Sequence, residues 1–166
     1  MAGEVTSGPI GASGETDLDR MIASLEPVVR EGEYVVVSLT DEPDAPCAAV
    51  VREAEGVTIV VDRRVADENH WPYDFVAGWI TLQVHSALEA VGLTAAVSAA
   101  LTAEGVPCNV LAGYFHDHLL VPADRVGDAV RVLQELSARG APDRRSPYAV
   151  RRSPGRRSSD QQEDDH

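Results

Sequence analysis

Apolar residues recur along this chain in two rhythms, one every three or four positions and one every second position. The changes between them mark out the elements. Leu18, Ile22, Leu25 and Val29 follow the first rhythm and predict a helix over Thr16–Val29. Thr16 is its expected N-cap, with Asp17 and Asp19 in the first turn, and Pro27 is awkward inside it. Glu33–Leu39, with its Tyr34-Val35-Val36-Val37 run, predicts a strand, and Pro43 and Pro46 mark a loop. Cys47–Arg52 and Val57–Val61 flank Glu53-Ala54-Glu55-Gly56, which predicts a hairpin with Gly56 supplying the turn. Arg63–Asn69 predicts a short helix, and Trp71–Phe75 an aromatic connector.

A second block follows. Trp79–Val84 predicts a strand, and the Ala-rich run Thr94–Ala103 a helix capped by Thr94, with Val97 and Leu101 inward. Gly105-Val106-Pro107 ends that helix. Cys108–Phe115 and His118–Val121 predict two strands. Pro122 then opens a helix to about Ala138, with Val126, Val130, Leu133 and Leu136 as its inner stripe. Strand, helix, strand, strand, helix is most of a ferredoxin-like βαββαβ unit. The expected fold class is therefore α+β, antiparallel sheet with helices on one face. The first block lacks a clear opening strand–helix unit, and the second lacks a final strand after Ala138. Strands are thus expected to be shared or exchanged between the blocks, and Trp79–Val84 either closes the first or opens the second.

Composition sets the outer limits. With 166 residues, 44% hydrophobic and 25% charged, the chain reads as a soluble globular protein able to build a core without staples. No apolar run reaches the roughly 18 residues of a membrane span. Met1–Gly14 has no basic flank and no apolar stretch of a secretory signal, so the expected location is the cytoplasm. The only two cysteines, Cys47 and Cys108, match no metal or redox spacing and read as buried, inert thiols. All 14 basic residues are arginine, and the net charge is -13. Residues 1–137 carry seven arginines and 22 acids, while residues 138–166 carry seven arginines and five acids. Such an acidic body repels phosphate backbones, so nucleic acid is not an expected partner. Residues 1–14 are Gly-rich, and residues 139–166 hold three prolines and three arginine pairs; both read as disordered tails.

The run Trp79–Thr94, WITLQVHSALEAVGLT, resembles the first strand, loop and helix start of an ACT domain. The run Gly105–Pro122, GVPCNVLAGYFHDHLLVP, resembles the second and third ACT strands. Together they resemble small bacterial proteins with two tandem ACT-like modules, distantly related to the regulatory domains of aspartate kinase and to cytosolic arginine sensors. The resemblance implies a first module over residues 15–77 and a second over 78–138. It also implies a non-enzymatic regulatory protein without a cofactor. A small-molecule ligand, an amino acid, would sit at the strand–helix loop 85–94, at a module or protomer interface. On that basis the ligand-binding residues are Ser86, Glu89, Val91, Gly92, Leu93, Thr94 and Asn109. Gly92 allows close backbone approach, the amides of Leu93 and Thr94 face a carboxylate at a helix N-terminus, and Glu89 meets the ammonium group. A homodimer and a regulated protein partner are further implications.

Two other readings stay open from the residues themselves. The chain could be a ligand-free interaction module docking through its acidic body. It could also be a small metal-dependent enzyme using His85, His116 and His118, since His116 and His118 share one strand face. Asp117 between them suits a turn, and the structural reading, with no metal ligands, is favoured. His85-Ser86 does not read as a catalytic pair, because neighbours on a strand point to opposite faces.

Overall fold

The computed structural model describes residues 17–84 and 91–140. Its elements are α1 (Leu18–Ala23), β1 (Glu26–Leu39), β2 (Ala49–Arg52), β3 (Val57–Asp62), α2 (Arg63–Glu68), β4 (Val76–Gln83), α3 (Leu93–Ala103), β5 (Asn109–Ala112), β6 (Asp117–Pro122), a 3-10 turn (Ala123–Arg125) and α4 (Val126–Gly140). None of the described helices is long and apolar enough to cross a membrane.

All six strands form one antiparallel sheet in the order β2-β3-β1-β4-β6-β5. β1 and β4 lie side by side at its centre, and each serves two modules. In the first, β1 is the opening strand, β2 and β3 form the hairpin, α2 crosses back, and β4 takes the fourth place. In the second, β4 opens, α3, β5, β6 and α4 follow, and the fourth place falls to the beginning of β1. Register makes this possible. Glu26–Arg30 pair with Gln83–Trp79, whereas Tyr34–Leu39 pair with Asp62–Val57. The shift between the two halves falls on Glu31-Gly32-Glu33, where Gly32 adopts a φ of 96°. The expected sharing of strands is thus what the sheet does, and Trp79–Val84 both closes one module and opens the next. The first module has no helix between β1 and β2.

Several boundaries differ from expectation. The helix predicted over Thr16–Val29 stops at Ala23, and residues 26–30 are strand. Its cap is Asp17, whose carboxylate accepts the Arg20 N–H at 3.2 Å; Thr16 lies outside the described residues. Pro27 lacks an N–H and Val28 and Val29 are β-branched, so the backbone turns to strand where propensity favours it. The second-module helix is capped by Gly92, not Thr94. β4 begins at Val76 rather than Trp79, β5 is confined to Asn109–Ala112, and α4 begins at Val126 after a 3-10 turn. α4 runs to Gly140, so Arg139, assigned to the tail by composition, is helical and pairs with Glu135. The remainder of both predicted tails lies outside the described residues.

Pairing in register puts partners on the same side of the sheet, so the two faces can be read directly. One face carries the helices. Ile80, Leu82, Leu119 and Val121 meet Met21, Leu93, Val97, Leu101 and Leu133 in the larger core. Val35, Val37, Ile59 and Val61 meet Ala66 in the smaller one, with Trp71 and Tyr73 packed against it. None of the described helices covers the other face. Its apolar residues, Tyr34, Val60, Ala77, Trp79 and Leu120, are nevertheless buried. They lie between the two edge strands, and residues of β2 and β5 line one common cleft with Trp79, so the sheet curls around this face.

Candidate functional site

The passage from β4 to α3 carries most residues expected to bind a ligand. Ser86 and Glu89 lie outside the described residues, as does His85. Val91 is 84% exposed. Gly92 has a φ of 105°, a left-handed conformation that a side chain strains to adopt. Its carbonyl accepts from the Ala96 N–H at 2.9 Å, the first bond of α3. Among the described residues no side chain caps this helix, and Thr94 is exposed in its first turn. Leu93 is buried in the larger core and anchors that turn. Val91, Gly92, Leu93 and Thr94 are therefore contiguous.

Asn109 is not brought to them. It pairs with Leu120 and so faces the curled side of the sheet, away from α3. Alternation in β5 decides this, and the sequence motif does not reveal it. Asp117, read from sequence as a turn residue, is instead the first residue of β6 and pairs with both Leu82 and Ala112. It thus stands on the helix-bearing face, at the end of the sheet from which the chain leaves for α3.

A second constellation occupies the curled face. The Arg30 guanidinium lies 5.2 Å from the Tyr34 ring and 5.1 Å from the Trp79 ring, a double cation–π contact. Tyr34 and Trp79 are 5.3 Å apart, and Trp79 is 5.2 Å from His118. His118 Nδ1 shares a hydrogen bond with the Thr81 hydroxyl at 3.0 Å. This cluster joins β1, β4 and β6, and sequence reading placed Trp79 only at the start of a strand.

Burial, then the neighbouring His116, hold the His118 imidazole below its ordinary 6.5; Arg30 adds to this and Asp117 opposes it. The unfolded chain therefore takes up this proton first as pH falls. The stability involved is fully present above about pH 6.5 and is lost as pH drops through the lower folded value. Thermal melts at about pH 7.5 and pH 5.5 are expected to show a smaller acid-induced drop for His118→Gln than for the parent chain. Identical profiles would contradict the assignment.

Both thiols are half-buried, rather than buried as the sequence suggested. Burial pushes Cys108 up; burial and then the Glu42 carboxylate push Cys47 up, the opposite of activation. Among the described residues no group of three or more His, Cys, Asp or Glu is placed to hold a metal ion.

Comparison with known proteins agrees with this architecture. Two family models, each described as an ACT domain, match residues 13–78 and residues 75–135. A Vibrio cholerae protein of unknown function, described as a possible transport protein, is 34% identical with a TM-score of 0.64, covering 72% of this chain and 95% of its own. The aspartate kinase of Clostridium acetobutylicum, described as an allosteric enzyme, is 9% identical with a TM-score of 0.51, covering 68% of this chain and 34% of its own. The regulatory subunit of aspartate kinase from Thermus thermophilus is 9% identical with a TM-score of 0.50, covering 66% of this chain and 95% of its own. These last two likenesses show the fold alone. No curated protein matches the chain. The two matched models share residues 75–78, at the start of the strand that belongs to both modules, and the chain is a member of the ACT domain family, a tandem pair of regulatory, small-molecule-binding modules.

Proposed function

We propose that this protein is a non-enzymatic regulator that binds a free amino acid where β4 gives way to α3. The observation that carries this reading is the Gly92 turn into the uncapped first turn of α3, within a tandem ACT architecture. The amides of Leu93 and Thr94 take the ligand's carboxylate, where the helix dipole favours negative charge. Asp117, on the same face of the sheet, is the ammonium partner among the described residues, with Ser86 and Glu89 contributing from the loop. Asn109 is not part of this site. Ligand binding shifts an interface, between modules or in a homodimer, that a regulated protein partner reads. That coupling requires different affinities for two states.

The test is a thermal-shift screen of the full chain against the twenty amino acids. A ligand at about 100 times its dissociation constant adds roughly 2.7 kcal/mol, several degrees for a chain of this length. One or a few amino acids are expected to give such a shift, and Asp117→Asn to weaken the response about tenfold or more through loss of a charge-assisted hydrogen bond. A flat response to all twenty would overturn the reading. Gly92→Val is a poor probe, because φ 105° and a Cβ only 2.9 Å from Leu18 strain the fold as well.

A further inference from the structure

The curled face carries a cleft on the opposite side of the sheet from the larger core that Leu93 enters. The cleft has a volume of about 430 Å³ and is walled by Ala49 and Val51 of β2 and by Leu111 and Ala112 of β5, with Trp79 and His118 at its floor. Its walls are small and apolar, and Val51 is 46% exposed. A second cavity of about 420 Å³ shares Ala48 with it and is lined by Arg30, Tyr34, Asp62, Arg64 and Glu68. The two communicate in chemical terms through one contact, since Arg30 of the second lies on the ring of Trp79 of the first.

Arg30 is unlike the arginines around it. Arg52, Arg63, Arg64, Arg125, Arg131 and Arg139 each meet a carboxylate. Among the described residues Arg30 meets none, and only aromatic faces hold it. Residues 17–84 and 91–140 carry 19 carboxylates and eight arginines. In so negative a body, an arginine left without a carboxylate beside an apolar cleft is a local exception. Of the carboxylates in its cavity, Asp62 is occupied by Arg64 through contacts of 3.0 and 2.9 Å. Stacking on two rings leaves the edge of a planar guanidinium, with its N–H donors, open to a carboxylate.

We propose that this face binds an amphipathic organic carboxylate, its charged end on Arg30 and its apolar body over Trp79 between β2 and β5. Each volume is in the range of small-molecule sites, and the arrangement of a largely apolar cleft with few polar anchors is theirs also. The chain's own residues 144–157, which hold six arginines and no acid, are a poorer occupant, because Arg30 would repel them.

The experiment titrates sodium decanoate, below its micelle concentration, into the full chain and follows the two tryptophan indole N–H resonances, assigned with Trp71→Phe. A saturable shift of Trp79, with Trp71 unmoved, is expected. Arg30→Gln, a change at an exposed side chain, is expected to weaken binding about tenfold or more, since it removes a charge-assisted pair. Val51→Glu, which places a charge on the wall, is expected to do likewise; for both variants an unchanged circular dichroism spectrum establishes the fold. Decanol and decylamine are expected to give no saturable shift. Absence of saturation with decanoate, equal binding of decylamine, or unchanged affinity in Arg30→Gln would each overturn the proposal. So would a shift of Trp79 on deleting residues 141–166 without ligand, which would make the tail the occupant. The amino-acid screen is independent of all these outcomes.

Discussion

Severing the chain between residues 77 and 78 is expected to give two fragments that do not fold alone and that form a soluble complex only when co-expressed. The reason is the shared centre of the sheet. A fragment ending at residue 77 keeps β1, β2, β3 and α2, but β1 loses its partner over Glu26–Arg30. A fragment starting at residue 78 keeps β4, α3, β5, β6 and α4. It loses the strand that fills its fourth place, together with Met21 and Leu25 of its core. Each piece would expose a long unpaired strand edge backed by apolar residues, which is a template for aggregation. The described part of each spans only about 60 residues, a size at which only about 60% of the chain's surface is buried on folding. By the same logic the intact chain is expected to unfold in one step. Trp71 packs in the smaller core, Trp79 on the curled face, and the helices on the larger core. Tryptophan fluorescence of single-tryptophan variants and far-ultraviolet circular dichroism are expected to give coincident denaturation curves. Either fragment melting cooperatively by itself, or two separated transitions in the intact chain, would refute the argument.

What the sequence showed of this arrangement, and what it hid, follow from the range of the interactions involved. The β2–β3 hairpin, α3 and β6 rest on local turn chemistry and periodicity, and they were legible with small errors at the ends. The extent of α1 was not. Leu25 continues the helical stripe of Leu18 and Ile22 because it enters the same core, although the backbone has already left the helix. Spacing alone cannot separate those cases. The Gly92 turn was legible, since a glycine before a helix has a local reason to be there. Asn109 was misplaced because its face depends on register with Leu120. The stack of Arg30 on Tyr34 and Trp79 was invisible, because pairing between β1 and β4 brings residues 30 and 79 together. Strand sharing itself was foreseen from what each block lacked, a missing opening unit and a missing final strand.

The same sharing makes Gly78→Ala an expected source of large destabilisation. Gly78 lies in β4, pairs with Val121, and sits beneath the first residue of α4. A Cβ there would stand far inside contact distance of Val126 Cγ2. Its φ is not positive, so the backbone itself accepts alanine, and the smaller entropy of the unfolded chain even favours the change by about 0.4–1 kcal/mol. The clash must therefore outweigh that gain. Val126 is β-branched and stiff at χ1, and the residue lies in a helix that also carries Ala129, Val132 and Leu133 into the core. Relief requires α4 to lift from the strand, at a cost typical of overpacking, about 1–3 kcal/mol. Val126→Ala on its own removes two methyl groups from a half-buried site and is expected to cost about 1–2 kcal/mol. In the double variant the new methyl fills the space the valine vacated. The two changes are thus expected to be strongly non-additive, with a coupling of about 1–3 kcal/mol in the stabilising direction. Urea unfolding of the four proteins in the cycle measures it. Additive costs would mean that α4 does not rest on Gly78, and that the strand shared by both modules is not clamped by the last helix of the second.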